Sequence, residues 1–419
     1  MKKTILFLVF TVCVSGFAQE TINAMTYNLF YYPSAPPANR DLILRDILDA
    51  YQPDLFMVCE LETEAGADMI LNTSLANQSA TFDRAIFYPD TSSSTTSLQN
   101  MVFFNTEKLV LINQQTLTTN YRDISQYTFR LNSLEQDTHP IHLEVFVTHL
   151  KSSTGTANQQ ARLAMVEVFT TALETITNPN TYVLFTGDFN LYTASEPAYQ
   201  KIISLDNAIA MVDPINAVGS WHDNANFQYA HTQCTRISNT GFGGGQASGA
   251  SGGMDDRFDF IMMSQNFTTS ADFYYVENTY KAYGNNGNCL DNSINSPDCA
   301  GDYSLQLRDN LYWMSDHLPV VMQFETSQTF LSSPSYDKKP LFWFNSSNYQ
   351  SEYIDLGIHT DEINTTINYI FIYNSIGQIL HTIAINQNKN IRLDISNYPK
   401  GLYFIKSDRK TATLKFIKK

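Results

Sequence analysis

Positive charge is scarce in this chain: 26 Lys and Arg stand against 41 Asp and Glu, a formal net charge of -15 over 419 residues. Non-specific affinity for nucleic acid comes from Lys and Arg set against phosphates, so the composition excludes a tight, processive polyanion binder. It leaves room for an enzyme that touches an anionic substrate briefly. Cysteine is also sparse, at five, and no pair has the spacing of a zinc site. Long apolar runs are missing as well. The one candidate, Ile5 to Val14, is short for a span of about 20 residues. With Lys2 and Lys3 before it and Gly16-Phe17-Ala18 after it, it reads as an export leader, residues 1–18, cut before Gln19. In an oxidising compartment Cys289 and Cys299, inside a Gly/Asn-rich loop from Tyr283 to Tyr303, are the candidate disulfide. Cys59 sits in an apolar run and reads as a small buried side chain.

What is present is a series of hydrophobic runs that end in polar residues. Tyr182-Val183-Leu184-Phe185 leads into Gly187-Asp188-Phe189-Asn190. Residues i and i+2 of a strand face the same side, so Asp188 and Asn190 can converge on one small target. Met25-Thr26-Tyr27 ends in Asn28, and Leu55 to Cys59 ends in Glu60. Val145 to Thr148 ends in His149, Arg257-Phe258 leads into Asp259, and Ser315-Asp316-His317 closes the series. One carboxylate at the end of an apolar run is commonly a satisfied structural group, because burying it bare is costly. Six such ends in one chain point to one convergent site.

Two segments have helical periodicity. Leu44, Ile47, Leu48 and Tyr51 form one i, i+3, i+4, i+7 stripe, and Leu163, Val166, Phe169 and Leu173 form another. Strands interleaved with helices give α plus β. Ser92 to Gln99 and Asn239 to Gly253 read as polar loops.

Asn28, Glu60, His149, Asp188 with Asn190, Asp259 and Asp316-His317, in this order over residues 21 to 325, resemble the endonuclease/exonuclease/phosphatase superfamily. The resemblance implies an α/β fold of the deoxyribonuclease I type, a four-layer α/β/β/α sandwich. It implies hydrolysis of phosphodiesters with Mg²⁺, or Mn²⁺ or Ca²⁺, held by Glu60 with Asn28 and Asp316. It also makes His149, Asp188, Asn190, Asp259 and His317 the catalytic set, with Asp259 orienting His317. Two assignments stay open: His317 as base with His149 as acid, or Asp188 at the water with both histidines on phosphate oxygens. Lys151, Arg162 and Arg257 are the candidate phosphate or structural partners. Cys59 stands where many nuclease members have glutamine, and Leu61-Glu62-Thr63-Glu64 lacks the basic residue that follows in deoxyribonucleases. The metal chemistry is untouched by these departures. An extracellular endonuclease on nucleic acid, DNA or RNA, is the expected function, with a phosphodiesterase acting on a phospholipid or sphingomyelin head group, or a non-catalytic surface binding protein on the same scaffold, as the alternatives.

Beyond the catalytic stretch, 19–326, residues 327–340 form a Ser/Pro/Lys connector, and 341–419 show short alternating strands broken by turns. Asn374-Ser375-Ile376-Gly377-Gln378, Pro399-Lys400-Gly401-Leu402-Tyr403 and the Lys415 to Lys419 finish make this module, a small β-sandwich, similar to the C-terminal sorting domain of the type IX secretion system. The likeness implies the secretion machinery as a partner and a secreted or surface-bound protein, expected as a monomer.

Overall fold

The computed structural model describes residues 19–78, 80–92, 98–178, 180–242 and 248–331, and in the tail 342–344, 349–350, 352–358, 369–375, 377–384, 390–407 and 414–419. The expected leader at 1–18, the expected connector from 332 onward and the centres of the two polar loops lie outside these residues. The chain divides into two units, at Leu331/Ser332.

In chain order the first unit comprises β1 (Glu20–Tyr32), α1 (Arg40–Tyr51), β2 (Leu55–Leu61), α2 (Glu64–Met69), β3 (Phe82–Arg84) and β4 (Gln99–Asn105). Then come β5 (Leu109–Leu117), β6 (Ile124–Leu131), β7 (His142–His149), α3 (Thr156–Leu173), β8 (Tyr182–Asp188) and α4 (Pro197–Ile202). β9 (Met211–Val212), β10 (Asp259–Ser264), β11 (Phe273–Tyr275), β12 (Lys281–Ala282), α5 (Leu305–Met314) and β13 (Val320–Thr326) complete it. One sheet runs β11-β13-β1-β2-β4-β3, with β12 also on β13, and the other runs β5-β6-β7-β8-β10-β9.

Alternation along the central strands builds the layers. Val145, Val147, Leu184, Ile261 and Met263 share a core with Met25 and Tyr27 of the facing sheet. Their neighbours Phe146, Val183, Phe185, Phe260 and Met262 turn the other way and pack on Met165, Val166 and Phe169 of α3. A strand buried on both faces reads as a continuous apolar run, which is why β2 and β8 do. On the far side of the first sheet, α1 and α5 add Leu44, Ile47, Leu48 and Leu311. The four layers expected from the resemblance are the architecture observed.

α1 carries its predicted stripe. On α3 Val166, Phe169 and Leu173 of the predicted stripe are buried and Leu163 is half-buried, and the buried face widens to take in Arg162 and Met165. Three helices, α2, α4 and α5, were not apparent from periodicity because each has at most ten residues. Ser327 to Leu331, read as the start of the connector, pack on this unit: Phe330 bridges Ser133 and joins the core. Cys289 and Cys299 are disulfide-bonded.

The second unit has a three-stranded and a five-stranded sheet. Its small core includes Ile354, Leu356, Ile370, Ile372, Ile405 and Phe416. Among the described residues, no helix is long and apolar enough to cross a membrane.

Candidate active site

Strand register brings the polar ends together. In the parallel pair of β7 and β8, His149 lies opposite Asp188, and in the antiparallel pair of β8 and β10, Asp188 lies opposite Asp259. Three of the predicted side chains thus stand abreast on one sheet. On the facing sheet Asn28 of β1 lies opposite Cys59 of β2, and the register then shifts, so that Glu60 leaves the regular ladder. Glu60 has φ +59, and Phe30, Tyr31 and Asn190 also have positive φ. Each such residue costs about 1–3 kcal/mol, a strain tolerated where the surrounding fold overdetermines the position.

Asn28 links the two sheets: its Nδ2 donates to Glu60 Oε1 at 3.1 Å and to Asp188 Oδ2 at 3.0 Å. Its Oδ1 accepts from the Phe30 amide at 2.9 Å. Asn28, expected beside the metal as a neighbour of Glu60, therefore turns its amide nitrogen to the carboxylates and orients them. His149 Nε2 is 3.4 Å from Asp188 Oδ2, and its Nδ1 is 3.8 Å from Glu60 Oε1. His317 Nδ1 is 2.7 Å from Asp259 Oδ2, the expected orienting pair. The Asn190 amide donates to Asp188 Oδ1 at 3.0 Å. Asp316 sits next to His317, and its Oδ2 accepts from the Ala250 amide at 2.7 Å. A Cβ on Gly249 would come within 2.8 Å of that oxygen, so the loop backbone closes against Asp316.

Charge is concentrated here. Glu60, Asp188, Asp259 and Asp316 are all buried. Burial and the nearby Asp316 charge raise the Glu60 pKa, with His317 opposing. Burial pushes Asp188 up to about 7, with His317 pulling down and Asp259 and Glu60 pushing up. Burial acts to lower the His317 pKa, yet the Asp259 and Asp188 charges carry it well above the ordinary histidine value. For His149, burial dominates and the pKa falls well below that value, with Arg122 and His317 adding to the effect. Burial also keeps the Cys59 thiol protonated.

The donor set fits a hard dication. Ligand atoms of Glu60, His149 and Asp188 lie within 4.8 Å of one another, as do those of Asp188, Asp259 and His317. Oδ1 of Asp259 and Oδ1 of Asp316 are buried without a hydrogen-bond partner among the described residues. Buried carboxylate oxygens left bare are costly, and a cation with oxygen preference relieves that cost.

Two of the three candidate phosphate or structural partners are seen on scaffold carboxylates. Arg162 is fully buried and gives Nε and Nη2 to Glu196 Oε2 at 2.9 and 2.7 Å. Arg257 is fully buried, donates to both oxygens of Asp213 at 2.7 and 2.8 Å, and lies 4.2 Å from the Phe260 ring centroid. Its ion-pair partner is Asp213. Both arginines hold the scaffold. Lys151 is half-buried, with its Nζ on the Ser152 carbonyl at 2.9 Å. Sequence reasoning missed Arg122. It is half-buried, gives Nη1 to the Leu150 carbonyl at 3.1 Å, and forms no ion pair among the described residues. Asn190 Nδ2 uses the same carbonyl at 3.3 Å, so Arg122 borders the site. It also missed Gln233, whose amide meets His317. Neither residue lies at the end of an apolar strand.

Residues 25–317 match the Endonuclease/Exonuclease/phosphatase family, and residues 351–419 match the secretion system C-terminal sorting domain. No curated protein matches the chain. Among solved structures, D. rerio TDP2 complexed with single strand DNA product is similar at 16% identity, TM-score 0.46, over 73% of this chain and 99% of that one. The human Nocturnin catalytic domain with bound sulfate is similar at 15%, TM-score 0.44, over 73% and 97%. A mannosyl-6-phosphatase from Bacteroides thetaiotaomicron is similar at 14%, TM-score 0.44, over 72% and 99%.

Proposed function

The chain belongs to the endonuclease/exonuclease/phosphatase family, and we propose that it is an exported, divalent-metal-dependent phosphodiesterase whose substrate is nucleic acid. The observation that carries this reading is the meeting of the His317–Asp259 pair, His149 and the Asn28-bridged carboxylates Glu60 and Asp188 at one set of strand ends. The sorting domain at 351–419 supports export by the type IX machinery to the cell surface or beyond.

Glu60 and Asp316 would hold a divalent ion, which when bound would supply charge neutralisation on the phosphoryl oxygens. The rest falls to side chains. Asp188 lies between the Asn28 amide and both imidazoles, the position from which to orient an attacking water and take its proton. His317 is held by Asp259 and presents Nε2 as a donor to a phosphoryl oxygen. His149 serves from the other side of Asp188. Of the two assignments open from the sequence, this geometry supports Asp188 at the water. Arg122 and Lys151 bring two cations to the border of an acidic site, which supports a polyanion whose neighbouring phosphates need a partner.

The test is hydrolysis by the purified full chain of supercoiled plasmid, RNA and phospholipid vesicles, with Mg²⁺ and with chelator. Metal-dependent cleavage of nucleic acid is expected. Cleavage of phospholipid alone would replace the substrate class, and no cleavage of any phosphoester by folded protein would overturn the hydrolase reading.

A further inference from the structure

Gln233 belongs to none of the strand-end motifs, yet it is built into the site at two levels. Its backbone forms bridges with both Asp256 and His317. Its side-chain amide stands 2.8 Å from His317 Nε2, while the opposite ring nitrogen stands 2.7 Å from Asp259 Oδ2. The next group on the Nε2 edge is Asp188 Oδ2 at 3.8 Å, too long for a hydrogen bond. Gln233, and not Asp188, therefore holds that edge. A carboxamide suits the task, because it offers an N–H to an imidazole lone pair or, turned over, an oxygen to an imidazole N–H.

An imidazole tied only through Nδ1 pivots about that bond, and the edge that meets substrate sweeps the furthest. Tied at both nitrogens, it keeps its plane. We propose that Gln233 is a positioning residue for His317: it fixes the imidazole plane from the Nε2 side and shares that edge with a phosphoryl oxygen of the substrate, so that the ring stays in plane during turnover. The activity part of the test rests on the phosphodiesterase reading; the hold on the ring does not.

Gln233→Met keeps the side chain's length and removes both hydrogen-bonding groups. A small misplacement of a reacting group costs rate rather than binding, so kcat should fall about tenfold with KM within about twofold. The second readout needs no substrate. In the full chain labelled with ¹⁵N-histidine, the His317 ring resonances, assigned by their loss in His317→Gln, should move in Gln233→Met at constant pH. Those of His149 should stay. Gln233→Glu, which retains size and polarity, serves if the Met variant does not fold. There the carboxylate does not share the Nε2 edge with a phosphoryl oxygen, so the ring stays ordered while activity falls. An unmoved His317 signal with unchanged kcat would overturn the proposal, as would a raised KM with kcat intact, which would make Gln233 a substrate ligand. Full activity in Gln233→Glu would do so too. A moved ring signal in a protein that cleaves no phosphoester would uphold Gln233 and reject the phosphodiesterase reading.

Discussion

Replacing Arg257 by methionine separates a scaffold role from a substrate role. Arg257 is fully buried, gives two hydrogen bonds to Asp213 and a third to the Tyr280 hydroxyl at 3.3 Å, and stacks on Phe260. Methionine retains much of the packing but leaves a buried carboxylate without its cation. Breaking such a pair from one side costs about 3–5 kcal/mol. Asp213 keeps the amides of Ile215 and Ala217, each at 3.3 Å, which places the loss near the lower end, about 3 kcal/mol. That is roughly two decades in the folding equilibrium. Urea unfolding should show a lower midpoint with an unchanged slope, and kcat/KM per folded molecule should stay. The pH dependence has a definite sign. Burial opposes ionisation of Asp213, but Arg257 holds its pKa below the usual carboxylate value. The pair therefore contributes fully above about pH 4 and is lost as pH falls through the depressed folded pKa. The stability gap between wild type and Arg257→Met should narrow in acid. A variant of wild-type stability with a raised KM would refute the scaffold role and return Arg257 to the substrate.

Gly187→Ala should be more damaging than any other single methyl in the site. Gly187 has φ +128, and the added Cβ would lie 1.9 Å from the Thr148 carbonyl oxygen, parting β7 from β8 between His149 and Asp188. A loss above about 4 kcal/mol or failure to fold is expected in thermal unfolding. Cys289→Ser opens a bridge between residues ten apart and should cost about 2–3 kcal/mol, matched by reductant on the wild type. Asp259→Asn removes the charge on His317 Nδ1, and kcat should fall about 10³-fold in steady-state assays without loss of fold.

Much of the site is legible in the sequence because it is built from strand ends. An apolar run that stops at Asn28, Glu60, His149 or Asp188 announces both the strand and the residue at its tip, and in the parallel β7–β8 pair the two strands end at the same level, which sets His149 beside Asp188. The layers follow from alternation in the same strands. What escapes is pairing at a distance. Nothing near Arg162 or Arg257 names Glu196 or Asp213, 34 and 44 residues away, so the sequence leaves both arginines open between a phosphate and a structural partner. Gln233 and Arg122 escape for the opposite reason: they reach the site from loops, where no periodicity marks which side chain turns inward. The opposed pKa shifts of His149 and His317 are equally invisible: both rings are buried, but the Asp259 and Asp188 charges outweigh burial at His317, while Arg122, His317 and Lys151 add to it at His149.

The most direct test of the account is the rate of phosphodiester cleavage by the full chain with Mg²⁺, set beside Asp188→Asn, His149→Ala and His317→Ala. The account predicts metal-dependent turnover in the wild type and a loss of at least about 10²-fold in each variant, with unchanged thermal midpoints for folding. Turnover that survives chelation, or that persists at wild-type rate in any of the three, would contradict it.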